Sequence, residues 1–305
     1  MLIYIAKKIA IAIPVLFIVS VIVFALIRLT PSDPVRMMVP PTATEEVREN
    51  VRKLLHLDQP IYIQYGYFIS GVFRGDFGRS YYLQQDVSSL IGLRLVNTLK
   101  LGGTALLLSY LIAFPIGILA AVYHRSWIDH LAVALAYAGQ CIPGFVMSLL
   151  LILIFALKYK VLPASGYSSW KNLILPASAI AFEGLTVAVR IIRSSMLEVL
   201  GQDYIRTLRA KGLDEKLVVW QHALKNSLIS VITIFALELG WIFAGAVAVE
   251  VVFGWPGAGR MLVDAVARRD FPIVQALTLV LSAGVIGANL LADILYAAVN
   301  PRIRY

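Results

Sequence analysis

Charge is what this sequence has least of. Only 15% of its 305 residues are Asp, Glu, Lys or Arg, where a soluble domain carries about 25%. Hydrophobic residues reach 59% and mean hydropathy is +0.80, an apolar excess sized for a bilayer and not for a soluble core. Cysteine is nearly missing. The single Cys141 lies in an apolar run, which excludes an intrachain disulfide and predicts a free core thiol. The histidines, His56, His124, His130 and His222, do not stand at metal-ligand spacing. No G-x-x-x-x-G-K-[ST] phosphate loop occurs, so nothing here cradles ATP phosphates in the usual way. No nucleophile–base constellation is visible, which makes an enzyme a poor reading. The net charge of +9 could suggest nucleic acid. Its placement argues otherwise, because the charges fall between apolar runs and form no basic stripe interleaved with aromatics.

What is present is a series of long apolar runs. A spanning helix needs about 20 residues, and residues 9–27, 101–123, 131–157, 172–189, 227–249 and 271–292 approach or exceed that length. Glu183 and Glu238 are the only charges inside them. Six spans are therefore expected. The first is longer than the apolar core of a signal peptide and no A-x-A site follows it, so cleavage is not expected. Lys and Arg in short connections set orientation. They favour a cytoplasmic side holding Lys7, Lys8, Arg125, the segment 190–226, Arg302 and Arg304. The raw count favours the other side, but only through the long 30–100 segment, which can cross regardless of charge. Both termini are expected inside. The chain then divides into an N-terminal span (1–29), an extracytoplasmic segment (30–96) and a core of five spans (97–305).

The outer segment opens with "TPSDP", whose prolines stop the first helix. Val47, Val51, Leu54 and Leu55 recur at helical spacing, with Thr42 or Thr44 as cap and Glu45 and Glu46 in the first turn. A second helix is expected to begin at Pro60. Both are expected to pack on the outer ends of the spans. Pro14, Pro115, Pro143 and Pro176 interrupt four spans, either as ordinary kinks or as bends that the bundle uses. Pro143-Gly144 is the best bend candidate.

The stretch "YIRTLRAKGLDEKLVVWQHALKN" (204–226) stands apart, because it is charged in a chain that is not. A short helix over 204–211 is expected, capped by Asp203 and stopped by Gly212, with Asp214 capping the next helix. Tyr204, Ile205 and Leu208 give it an apolar stripe, and Arg206, Arg209 and Lys211 a cationic side. Such a helix is shaped to sit in another protein's groove. A solvated basic loop or a helix lying on anionic lipid fits the same residues.

Glu183 and Glu238 carry two readings: pathway-lining groups that meet a substrate amine or a proton, or structural groups near a span end. Glu183 could lie close to Arg190 and Arg193. The stretch "FGWPGAGR" (253–260) is a tight turn after the fifth span, with Trp255 suited to a membrane interface. It reads as a re-entrant turn shaping the outer mouth, or as a plain interfacial turn. Asp264, Arg268, Arg269 and Asp270 follow it as exposed charges that could meet a partner. Asp293 is expected to pair with Arg302 or Arg304.

Segment 202–226 resembles the "EAA" loop of ABC-importer permeases, with Arg206-Thr207-Leu208 at the triplet, then Gly212, then His222-Ala223-Leu224. The glutamate of that loop is absent, as in the dipeptide/oligopeptide/nickel branch. "LTPSDP" (29–34), "LDQP" (57–60), "GDFG" (75–78), "EVVFGWPGAGR" (250–260), "RDFPIVQA" (269–276) and "NPRIRY" (300–305) are similar to the same branch. The resemblance implies an all-α membrane protein of six transmembrane helices. It would be the MetI-like core of a type I ABC importer permease, with an extracytoplasmic helical insertion after the first helix. It implies a bacterial inner-membrane location and no enzymatic activity in this chain. The implied partners are a second permease, two ATPases that bind ATP and Mg, an external solute-binding protein and membrane lipid, with no nucleic acid. It implies that Asp203, Tyr204, Ile205, Arg206, Leu208, Arg209, Ala210, Lys211 and Gly212 couple to an ATPase. Glu250, Phe253, Trp255, Pro256, Gly257 and Gly259 would form the outer-mouth turn. Glu183, Glu238, Pro143 and Gly144 are the candidates for the translocation path. Peptides, glutathione-like ones included, are the first substrate expectation and nickel or a metal chelate the second. A stand-alone secondary transporter would fit the spans equally well, but it would not need the loop helix.

Overall fold

The computed structural model describes residues 2–29, 35, 38–40, 42–244 and 246–299. Most of "LTPSDP", all of "NPRIRY", and with it Arg302 and Arg304, lie outside the described residues. Every regular element among the described residues is helical. Among the described residues five helices are long and apolar enough to cross a membrane, or six if a pair bent at 103° counts as one span. Helices suit lipid because each satisfies its own backbone hydrogen bonds.

Helix α1 (Leu2–Leu29) keeps Pro14 inside it. Segment 30–96 holds α2 (Glu45–Leu54) and α3 (Ile61–Phe73). Thr44 caps α2, its Oγ1 accepting from the Val47 amide at 3.4 Å. Pro60 is the N-cap of α3, one position earlier than its expected place in the first turn. Helix α3 meets the expectation of packing on a span. The Tyr65 hydroxyl and Ser20 Oγ are 2.7 Å apart, and Phe24 of α1 contacts the rings of Tyr65 and Phe68 at 5.4 and 5.7 Å. No residue of α2 is buried.

Two spans differ from expectation. Helix α4 (Val87–Val122) starts well before residue 101 and has 36 residues. At about 1.5 Å rise each it extends about 54 Å, against a hydrocarbon core of about 30 Å. Arg94 and Lys100 disguise its outer turns in the sequence. The run 131–157 breaks instead of crossing straight. Helix α5 (Trp127–Gln140) meets α6 (Gly144–Leu151, continued as π-helical Ile152–Lys158) at 103°. Pro143 lacks an N–H and sits as the N-cap of α6, whereas Pro115 and Pro176 remain inside helices. Cys141 falls on this corner and is exposed, not a core thiol.

Helix α7 (Lys171–Leu200) packs against α4, α5 and α6. Helix α8 (Asp203–Ala210) leads into α9, which runs Glu215–Leu217, then π-helical Val218–Ala223, then Leu224–Ala244. Short α10 (Ala246–Val252) and α11 (Ala258–Ala267) flank the 253–257 turn, and α12 (Phe271–Val299) packs on α9 and α1. Asp293 of α12 pairs with Lys8 of α1 at 2.8 Å, and the arginines expected beside it, Arg302 and Arg304, lie outside the described residues.

Asp270 is not an exposed charge. It is 1% accessible, and its carboxylate accepts from Ser80 Oγ and from the Tyr81 and Tyr82 amides at 3.1 and 3.2 Å. It ties the 80–82 segment to the start of α12. Next to it the Arg268 guanidinium lies 4.1 Å over the Tyr82 ring. Asp270→Ala strands these donors, at about 1–3 kcal/mol for each buried group left unpaired. Limited proteolysis of the detergent-solubilised protein should therefore show faster cleavage within 79–86 than in the unsubstituted chain.

Candidate functional site

Three sites can be built from the residues upward. The first is the joint around α8. Eight residues at about 1.5 Å rise give a rod of about 12 Å, too short to be stable alone. Ile205 fixes it, buried completely in a core shared with Ile192, Met196 and Val199 of α7 and with Val218, Val219 and Ala223 of the π-helical stretch. Tyr204 and Leu208 pack at the edge of that core. The Asn226 side-chain amide donates to the Tyr204 hydroxyl at 2.7 Å. The expected apolar stripe is thus the face turned toward the spans.

The opposite face differs in detail from the sequence expectation. Gln202, not Asp203, is the N-cap, and no side chain caps the helix. Asp203 lies in the first turn, where its charge suits the helix dipole, with Arg206 at 3.6 Å. Asp214 is the N-cap of the next helix but makes no capping hydrogen bond with its side chain. Arg209 is neutralised by a two-pronged pair with Glu215 at 2.6 and 3.0 Å. Arg206, Ala210 and Lys211 remain exposed. Gly212 has φ +81°, the left-handed turn that reverses the chain after α8.

The second site is a cavity of about 580 Å³ among α4, the α5–α6 corner, α7, α9 and α10. Glu183, Glu238, Pro143 and Gly144 all line it. Glu183 thus faces the cavity and not the basic pair. Arg193 is held by Asp129, and Arg190 donates to Gln140 at 3.1 Å. Glu238 sits beside Tyr110. The exposed Phe145 and Trp241 complete the rim. Two carboxylates in a mostly apolar hollow give it the character to receive a cationic or hydrogen-bond-donating group.

The third is the turn between α10 and α11. Glu250 is fully buried and accepts from Thr98 Oγ1 at 2.6 Å and from the Arg260 amide at 2.9 Å. Its carboxylate thereby serves the amide end of α11. Thr98 Oγ1 also accepts from the Ala258 amide at 2.8 Å. Asn97 donates to the Pro256 carbonyl at 3.0 Å, and its own carbonyl accepts from Trp255 Nε1 at 3.0 Å. Trp255 is consequently buried at 1% accessibility and not interfacial. Phe253 is buried beside Leu175 and Val249. A Cβ at Gly257 would collide with the Glu250 carboxylate, and one at Gly259 with Val247. Asn97 and Thr98 escape a reading of the sequence because they precede the uncharged run, in the outer turns of α4.

A turn anchored to α4, a cavity among apolar helices and a short loop helix seated on their ends describe a helical membrane transport subunit. Residues 113–305 match the family described as "Binding-protein-dependent transport system inner membrane component", and residues 1–102 match its N-terminal companion. The chain belongs to this family. It is 42% identical over 305 residues to the "Glutathione transport system permease protein GsiC" of Escherichia coli (strain K12), covering all of both chains. It is 43% identical over 305 residues to the protein of that name in Salmonella typhimurium (strain LT2), again across both full lengths. Among solved structures, one described as "Crystal structure of an amino acid ABC transporter with histidines" superposes with a TM-score of 0.56 at 17% identity. The match covers 69% of this chain and 94% of that one, and shows the fold alone. The chain is a multi-pass inner-membrane transport subunit and not an enzyme.

Gly257→Ala should lower stability by about 1–3 kcal/mol through overpacking, and Glu250→Ala should do so by leaving Thr98 and the α11 amides unpaired. Combined, the two should cost less than their sum, because the smaller residue at 250 makes room for the methyl group. Thermal unfolding of the two single variants and the double variant in detergent checks this.

Proposed function

We propose that this chain is one of two membrane halves of an ATP-driven importer whose substrate is a peptide, glutathione-like peptides included. The observation that carries the proposal is α8. Its apolar face is locked into the spans through Ile205 while Arg206, Ala210 and Lys211 stay exposed, as a helix needs that enters another protein's groove. The full-length similarity to glutathione permeases supports the peptide class. The working assembly would hold a second permease, two cytoplasmic ATPases carrying ATP and Mg, and an external binding protein. Both termini and α8 would lie in the cytoplasm, following the basic residues of the short connections. The chain would comprise an anchoring span (1–29), an extracytoplasmic segment (30–96) and a permease core (97–305) containing the coupling loop 190–226.

In this reading Asp203–Gly212 receives the movement of the ATPases, and α7 and α9 pass it to the cavity holding Glu183, Glu238, Pro143 and Gly144. The turn at Glu250, Phe253, Trp255, Pro256, Gly257 and Gly259 shapes the outer mouth. The bilayer-exposed apolar faces are covered by lipid. A channel or secondary transporter working alone has no use for a docked helix at α8.

Arg206→Cys, placed in a Cys141→Ser background, should crosslink to an ATPase subunit in native membranes. Labelling by lipid-soluble reagents alone would instead make α8 an interfacial helix. Glu238→Gln should change glutathione uptake by at least about tenfold, the scale of one lost charged contact, with normal amounts of protein in the membrane. Normal uptake with reduced protein would mark Glu238 as structural.

A further inference from the structure

Asp129 plays no part in the coupling helix, the cavity or the outer turn, yet it is among the most completely engaged side chains in the protein. It lies in the first turn of α5 and its side chain is 2% accessible. Arg193 of α7 grips it with two prongs, through Nε and through Nη2 at 2.9 Å. The Arg125 amide and His124 Nδ1 each sit 2.9 Å from the same carboxylate. A buried ion pair of this kind adds little net stability compared with apolar packing, and its better attested role is to fix register.

Two more features fix α5 to α7. Arg190 donates to Gln140 at the other end of α5, at 3.1 Å. Beside Gln140, Gly139 lets α5 approach so closely that a Cβ there would collide with Thr186 and crowd Phe182. Helix α5 is therefore held at both ends. Its far end turns through Pro143 into Gly144 and Phe145, which line the cavity. The other end of α7 shares the core that buries Ile205 of α8.

We propose that the Asp129–Arg193 pair is a positioning link. It makes α5 travel with α7, so that displacement of α8 reaches the Pro143–Phe145 corner of the cavity, and it stays closed throughout the cycle. The inference rests on α8 being the ATPase contact. It predicts a mechanical path through the carboxylate of α5, which lies outside both α8 and the cavity lining.

The test uses the assembled transporter in proteoliposomes, with Phe145→Cys in a Cys141→Ser background. The readout is maleimide labelling of residue 145 with and without ATP and vanadate, alongside ATP hydrolysis. Arg193→Met should cut the nucleotide-driven change in labelling by about tenfold, the scale of one charged hydrogen bond, while hydrolysis continues. Arg193→Lys, which keeps the charge but loses the fork, should fall between. An unaltered response in Arg193→Met overturns the link alone. No response in the unsubstituted background overturns the α8 reading and the link with it. Should Arg193→Met fail to assemble, spin labels at Trp127→Cys and Ser194→Cys give the answer with the pair intact. One distance in both nucleotide states supports a closed link, and a second distance appearing with ATP and vanadate overturns it.

Discussion

The burial of Ile205 is the contact on which the rest depends. A free eight-residue helix does not persist in water. Complete burial of one isoleucine contributes about 1.5–3 kcal/mol, and here Tyr204 and Leu208 extend the same contact. The result is a rod whose inner face packs on α7 and α9 and whose other face, with Arg206, Ala210 and Lys211, is exposed. Gly212 then turns the chain through a left-handed conformation that a side chain would resist. Two helices of the cavity wall begin or end at this joint, so a push on α8 cannot be absorbed locally without exposing its core.

The polar interior follows a consistent division. At the turn between α10 and α11 the buried polar side chains are partnered: Glu250 with Thr98 and the α11 amide, Asn97 with the Pro256 carbonyl, Trp255 with the Asn97 carbonyl. Such fully paired networks hold a unique geometry. The cavity is different. Glu183 and Glu238 face a hollow bordered by a proline-made corner and not by paired donors. Rigid surroundings with an open polar interior suit a passage that must hold a solute briefly and release it.

Much of this was legible in the sequence. The spans could be counted because runs such as 271–292 carry no charge. The loop helix, its stripe and its stop at Gly212 followed from spacing alone, and the cavity contains all four residues singled out for the path. What escaped was long-range pairing. Nothing in the local sequence shows that Asp129 will meet Arg193, or Asp270 the amides of Tyr81 and Tyr82, since each partner lies on another helix or across the outer segment. Burial inverted two readings for the same reason. Trp255 looked interfacial until Asn97 supplied an acceptor inside. Cys141 looked like core until Pro143 bent the chain and brought it to the surface. The start of α4 was hidden because Arg94 and Lys100 interrupt the apolar run without interrupting the helix.

The central claim is that α8 and α7 move together and that their movement reshapes the cavity. Paired spin labels in the reconstituted transporter test it most directly, one pair at Glu198 and Lys211 across the joint and another at Phe145 and Trp241 across the cavity rim. The account predicts that on ATP binding the joint distance stays fixed while the rim distance changes. A joint that lengthens over an unchanged rim would contradict it.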